Sequence, residues 1–388
     1  MNFSLTTDQI AIRESVLKLC SRFDKQYWLE RDSIGGFPEE FFNAMASEGW
    51  LSICIPQEYG GSGLGIADAA VMMRTVAESG GGMSAASAIH VNVFGLHPVV
   101  VFGTEEQKSR MLPSIAQGLE KACFAVTEPN TGLNTTQLKT RAVCKGDHYV
   151  VNGQKVWIST AKVAQKVLLL ARTTPLEEVQ KPTHGLSLFY TDLDRSAVTI
   201  HEIEKMGRKA VDSNELFIEN WKIPKEDLIG EEGRGFEYIL HGMNPERILI
   251  AAEAVGLGML ALETATDYAK HREVFNRPIG KNQGIQHPLA KCWMNLQAAW
   301  LMVLNAGHQY DAGQECGAAA NSAKYLAAEA GFEACQTAIM THGGFGYAKE
   351  YHVERYLREV MIPRIAPVSP QLILSYISER VLGLPKSY

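Results

Sequence analysis

Glu246 and Arg247 stand in the middle of an apolar run, HGMNPERILIAAEA, over residues 241–254. If the run is helical, the residues one turn from Glu246 are Gly242, Met243, Leu249 and Ile250. None is basic, so the helix itself offers Glu246 no ion pair at three or four residues' spacing. A carboxylate held among apolar side chains loses hydration, its pKa rises, and it becomes a better proton acceptor near neutrality. That is the chemistry of a general base for a weakly acidic C–H. Glu253, seven residues on and on roughly the same face, is the rival carboxylate. The plain alternative is a structural glutamate satisfied by tertiary partners.

The bulk sequence narrows the setting. A chain of 388 residues is too long for one compact core and predicts two or three domains. Its 46% hydrophobic and 21% charged residues form an ordinary globular composition without biased tracts. A net charge of −6, with no Lys/Arg-rich run, argues against nucleic acid as the main partner. Seven cysteines without a C-x-x-C pair predict reduced, mostly buried thiols, not a disulfide frame or a zinc site. Met1–Leu5 is too short for a signal segment, and Thr6 with Gln9 reads as a capping box opening an amphipathic helix. The longest unbroken apolar runs, such as Val167–Ala171, fall far below membrane-span length. The expectation is a soluble, cytoplasmic protein with no membrane segment and no metal.

The elements that must position these residues fall into three stretches. Residues 1–120 are mainly helical in pattern, broken by glycine-rich joints. EYGGSGLG (58–65) is a loop and not a dinucleotide fingerprint, because no strand precedes it and the G-x-G-x-x-G spacing is absent. HPVVVFGTEEQKSRMLPSI (97–115) predicts a turn, then a helix starting near Thr104 with Glu105 and Glu106 placed for its dipole. Residues 121–230 change period. HYVVNGQKVWIS (148–159) has two β-rich runs around Asn152-Gly153, a hairpin signal. KVLLLART, GLSLFYTDL, AVTIHEIE and NELFIENWKI follow as short strands, predicting a sandwich or barrel. Residues 231–388 return to the helical period, with one long helix kinked at Pro245 and further helices over 284–312, 317–340, 351–361 and 370–382.

In its motifs the chain resembles the acyl-CoA dehydrogenase family over essentially its whole length. FAVTEPNTGLNT (124–135) is similar to the family's first signature, and GQKVWIS (153–159) to the segment at the flavin's edge. HREVFNRPIG (271–280) with Gln283 resembles the stretch that contacts phosphate and adenosine. HGGFGYAKEYHVERYLRE (342–359) matches the second signature, apart from Met340 where Gln, Asp or Glu is usual. The resemblance implies an α+β multidomain fold: an N-terminal helical domain, a middle β-barrel or sandwich and a C-terminal four-helix bundle, assembled as a homotetramer. It implies FAD between the β domain and the bundle. Thr127 and Ser159 would bond the flavin ring, Ser159 near N5, with Trp157 covering the ring side. Arg272 would meet the pyrophosphate across a subunit boundary, with Phe275, Gln283, Gly343 and Gly344 around the rest. Phe124, Val126, Ser369 and Gln371 complete the implied cofactor contacts. A guanidinium suits a diphosphate, glycines let backbone approach it, and fixed hydrogen bonds tune a flavin.

The implied reaction is α,β-dehydrogenation of an acyl-CoA thioester, with electrons passed to an electron-transfer flavoprotein or similar acceptor. In most members the base lies in a C-terminal Tyr-Glu-Gly-Thr type segment. At the matching positions this chain has Ala366, Pro367, Val368 and Ser369, and Pro367 cannot take a proton. Isovaleryl-CoA and long-chain types carry the base in a helical Glu-Arg doublet, which matches Glu246-Arg247. The resemblance thus assigns the base to Glu246, and substrate contacts to Leu133, Asn134, Met243, Arg247, Ala366 and Pro367. Pro367 also lacks the backbone N–H usually aimed at the thioester carbonyl. Leu133-Asn134 replaces a Ser/Thr-Asp pair near the pantetheine. Other readings are a flavin oxidase or monooxygenase on the same fold, or a non-catalytic flavin-binding relative.

Overall fold

The computed structural model describes residues 4–387. Seven helices come first: α1 (Thr7–Cys20), α2 (Lys25–Ile34), α3 (Glu39–Ser47), α4 (Ile66–Val76), α5 (Gly82–Phe94), α6 (His97–Phe102) and α7 (Glu105–Ala116). Local chemistry sets the two clearest starts. The Thr6 hydroxyl accepts from Gln9 N–H while the Gln9 side chain accepts from Thr6 N–H, and Thr104 and Gln107 repeat the pattern at α7. The expected turn at 97–103 is instead the short helix α6, because Pro98 sits in its first turn, where a missing N–H costs nothing.

Eight strands follow: β1 (Ala122–Ala125), β2 (Arg141–Lys145), β3 (His148–Ser159), β4 (Lys166–Arg172), β5 (Leu186–Asp192), β6 (Val198–Glu202), β7 (Ser213–Pro224) and β8 (Leu228–Ile229). They form one sheet in the order β6-β7-β3-β2-β4-β5-β8, with β1 parallel to β4. Tyr149, Val151, Leu169, Phe189, Trp221 and Ile223 fill its core. The hairpin expected at Asn152-Gly153 does not form, and β3 runs straight through it. The pair makes a bulge against β7, where the Asn152 side chain accepts from Asn220 N–H at 2.8 Å. Gly153 is needed because a Cβ there would lie 2.4 Å from Thr140 Oγ1. The turn that joins β2 to β3 lies at Gly146-Asp147, with Gly146 at φ 71°.

The rest is helical apart from a two-stranded ribbon, β9 (Glu273–Val274) and β10 (Arg277–Pro278). The helices are α8 (Gly235–His271), α9 (Gln283–Asp311), α10 (Gly317–His342), α11 (Val353–Glu359), α12 (Met361–Ile365) and α13 (Pro370–Tyr376). The 37-residue α8 passes through Pro245 without ending. It is the axis of the molecule, packed on α4, α5, α9 and α10. Its small residues permit that closeness: a Cβ on Gly256 would meet Arg74 O at 2.3 Å, and one on Gly258 would meet Gly331 Cα at 3.0 Å.

Among the described residues, three helical stretches are long and apolar enough to cross a membrane, which short apolar runs did not foretell because alanine- and glycine-rich helices reach that hydropathy without an unbroken run. Ile66–Phe102 and Gly235–His271 bury most of that surface inside the protein, whereas Val353–Val381 is mostly half-buried and is interrupted at residues 366–369.

Candidate active site

Glu246 projects from α8 into a narrow, mostly apolar crevice lined by Phe94, Gly95, Pro98, Phe124, Ile239, Gly242 and Met243. Its Oε2 is buried and has no hydrogen-bond partner among the described residues. Burial raises its pKa from the usual carboxylate range to about 7, against the pull of His90 and Arg247 and with a push from Glu253. Arg247 does not close on it by hydrogen bonding, for its Nη1 donates to Asn244 Oδ1 at 2.9 Å. Glu253 differs. It is 1% exposed and its Oε1 lies 2.5 Å from His90 Nδ1. Burial opposes charge on that imidazole, but Glu253 more than offsets it and the His90 pKa is raised. Of the two carboxylates, one is paired and the other carries a buried oxygen with no partner among the described residues.

Phe124 joins this pocket to the sheet, since its ring also packs on Phe94 at 5.8 Å between centroids. Beyond it, Val126 O accepts from Lys155 Nζ at 2.9 Å, and Thr127 O from Val156 N–H at 2.9 Å. Lys155 is fully buried and also donates to Leu170 O and Glu128 Oε1. Burial lowers its pKa to about 8, with Glu128 opposing the fall. Glu128 in turn accepts from Lys139 and Thr140 N–H. One lysine therefore ties the signature at 124–128 to the middle of β3. Just past it β3 bulges between Lys155 and Ile158, and Trp157 takes φ 63°. Its ring is 58% exposed, so it is not a core aromatic of the sheet. Ser159 ends the strand, and its Oγ accepts from Arg208 Nη2 at 3.2 Å.

A second, broad cavity of about 670 Å³ lies at the far end of α8 and shares no lining residue with the first. Arg272, Phe275, Gly343 and Gly344 line it, together with Arg277, Asn282 and Phe345. Gln283 is not among them, although its neighbour Asn282 is. Among the described residues Arg272 makes no ion pair, and its guanidinium rests 5.5 Å from the Phe345 ring centre. Phe275 is 95% exposed. A free guanidinium beside glycine backbone and open aromatic faces fits a diphosphate with a planar base.

Other expected residues are not brought into either cavity. Leu133 is exposed, and Asn134 Oδ1 accepts from Thr136 Oγ1 at 2.6 Å. Ala366 and Pro367 lie between α12 and α13, joined by a cis peptide bond, outside the Glu246 pocket. Ser369 caps α13 by accepting from Leu372 N–H, and Gln371 is exposed on that helix's first turn. Two residues near the site carried no sequence signal. His90 is a lone histidine on an apolar helix, and Arg208 is a loop arginine between β6 and β7. Only the folded chain brings them to Glu253 and Ser159.

Three family models match the chain: the acyl-CoA dehydrogenase N-terminal domain over residues 6–119, the middle domain over 123–221 and the C-terminal domain over 233–382. Acyl-CoA dehydrogenase fadE12 of Mycobacterium bovis is 35% identical over 392 residues, covering 100% of this chain and 99% of its own. Caffeyl-CoA reductase-Etf complex subunit CarC of Acetobacterium woodii is 33% identical over 354 residues, covering 91% and 92%. The solved FAD complex of PigA superposes with a TM-score of 0.93 at 26% identity, covering 99% and 100%.

Proposed function

Because the chain belongs to the acyl-CoA dehydrogenase family, and is therefore an oxidoreductase acting on CH–CH bonds, we propose that it is an FAD-dependent dehydrogenase whose base is Glu246. The observation that carries this reading is the unpartnered Glu246 carboxylate in its apolar pocket, poised near neutrality. Such a group can take the α-proton of an acyl-CoA thioester without first giving up hydrogen bonds. Pro367 cannot compete for the role, nor can its nitrogen donate to the thioester carbonyl. Arg247, Met243 and Phe124 border the place where the acyl group would lie.

FAD, when bound, supplies the two-electron acceptor for the β-hydride at N5. Thr127 and Ser159 are the hydroxyls for its ring and Trp157 the exposed aromatic beside it. Arg272, Phe275, Gly343 and Gly344 suit its diphosphate and adenosine. The separation of the two cavities on one chain supports a cofactor shared across a subunit boundary, hence a homotetramer or smaller closed assembly. The likeness to a subunit of a caffeyl-CoA reductase-Etf complex supports an acyl-CoA substrate and an electron-transfer flavoprotein as acceptor. Seven free thiols favour a reducing, cytoplasmic setting.

Glu246→Gln keeps the side-chain volume and removes the proton acceptor. The purified variant should bind FAD and acyl-CoA yet fail to bleach the flavin anaerobically against a panel of short, branched, aromatic and long acyl-CoAs. Near-normal bleaching would falsify the assignment.

A further inference from the structure

Arg208 lies between β6 and β7 with its backbone at φ 59°, a conformation a non-glycine residue adopts only where its surroundings hold it. Its guanidinium donates to three hydroxyls on three elements: Nη1 to Ser87 Oγ on α5 at 3.0 Å, and Nη2 to Ser159 Oγ on β3 at 3.2 Å and to Ser213 Oγ on β7 at 3.3 Å. Its Nε is buried and has no partner among the described residues.

Burial works against the guanidinium charge, and Glu359, Glu253 and Asp212 sustain it from a distance. Each of those carboxylates is committed elsewhere. Glu359 accepts from Arg355 and from both the N–H and the hydroxyl of Ser84. Glu253 pairs with His90, and Asp212 accepts from Lys162 N–H and the Asn214 amide. A guanidinium is well matched to a carboxylate in a forked pair, and buried Arg172 instead braces the fold through backbone carbonyls. Here the donors end on hydroxyls, and one of these, Ser159, is the group assigned above to flavin N5.

We propose that Arg208 is a positioning residue that acts through the Ser159 hydroxyl to raise the reduction potential of the bound flavin. The inference rests on the placement of Ser159 at N5. A hydroxyl that accepts from a guanidinium is polarised and becomes a stronger donor on its other side. The α-proton would go to Glu246 and the β-hydrogen with its electron pair to flavin N5, so the ring beside Ser159 would take up one negative charge on reduction. A fixed positive charge behind that hydroxyl favours the electron-rich product more than the starting state. Arginine remains charged at every working pH, so the effect does not titrate.

The test is the midpoint potential of the FAD-loaded protein, measured anaerobically by equilibration with reference dyes. Arg208→Met should keep FAD and lower the equilibrium constant for reduction by about tenfold, which is about 30 mV for a two-electron couple. Arg208→Lys should restore most of the loss. Ser159→Ala alone should lower the potential in the same direction, and Arg208→Met added to it should change the constant by less than about threefold. An unmoved potential in flavin-loaded Arg208→Met overturns the proposal. So does an undiminished Arg208 effect in the Ser159→Ala background, which would place the charge on another path. Should Arg208→Met fail to fold, Arg208→Lys and Ser87→Ala decide. Ser87→Ala frees one anchor of the guanidinium and should lower the potential by a smaller factor, and no shift in it counts against the proposal. Colourless wild-type protein, seen before any variant is made, would instead overturn the flavin reading of the site itself.

Discussion

Two carboxylates on one helix face, two turns apart, have opposite fates. Glu253 meets His90 across the α5–α8 interface and is spent there. Glu246 points between Phe94 and Phe124, where its buried Oε2 meets no donor among the described residues. On the function proposed above, the unpartnered one is the proton acceptor. With its pKa raised by burial to about 7, Glu246 is mostly protonated and inert as a base below that value, and ionised above it. The second-order rate of flavin reduction, kcat/KM, should therefore climb about tenfold per pH unit below about 6 and level off above about 8, since this ratio reports the free enzyme. Stopped-flow bleaching across pH 5–9 checks this. A flat profile, or a limb near pH 4.5, would mean that the carboxylate acts hydrated and the pocket does not tune it.

At the scale of elements, β3 carries the burden of precision. Lys155 binds Val126 O, Leu170 O and Glu128 at once and so fixes the spacing between the first signature and the strand that ends in Ser159. Lys155→Met should leave the buried Glu128 carboxylate without its counter-charge, held only by the Lys139 and Thr140 N–H groups, at a cost of about 3–5 kcal/mol. The denaturation midpoint at pH 7 measures it, and a loss below about 1 kcal/mol would show that water or a shifted loop fills in. Helix starts were legible in the sequence because a capping box is a local device: Thr6–Gln9 and Thr104–Gln107 carry their geometry within four residues. Glu246 was legible because helical periodicity alone surrounds it with apolar neighbours. The hairpin at Asn152-Gly153 was misread because the reason for that glycine is Thr140, thirteen residues away on another segment. His90 and Arg208 were invisible for the same reason: their partners, Glu253 and Ser159, are distant in the chain and near only in the fold.

For the molecule as a whole, α8 sets two functions far apart: Glu246 near its start and Arg272 just past its end. About 26 residues of helix at 1.5 Å each separate them, roughly 39 Å, so one chain cannot offer both to one small cofactor ring. Arg272→Ala should weaken FAD retention about ten- to a hundredfold, as expected for a lost charge-assisted contact. The geometry has a genetic consequence. A chain carrying Glu246→Gln should be inactive alone, and a chain carrying Arg272→Ala should be depleted of FAD and nearly inactive when no FAD is added. If they are unfolded, mixed and refolded together, some hybrid interfaces will pair the intact Arg272 of one with the intact Glu246 of the other. Such mixtures should regain a fraction of wild-type turnover, whereas a chain bearing both changes should rescue neither parent. Silence from the hybrids would mean that each polypeptide is its own complementation group, and that the two cavities serve the same copy.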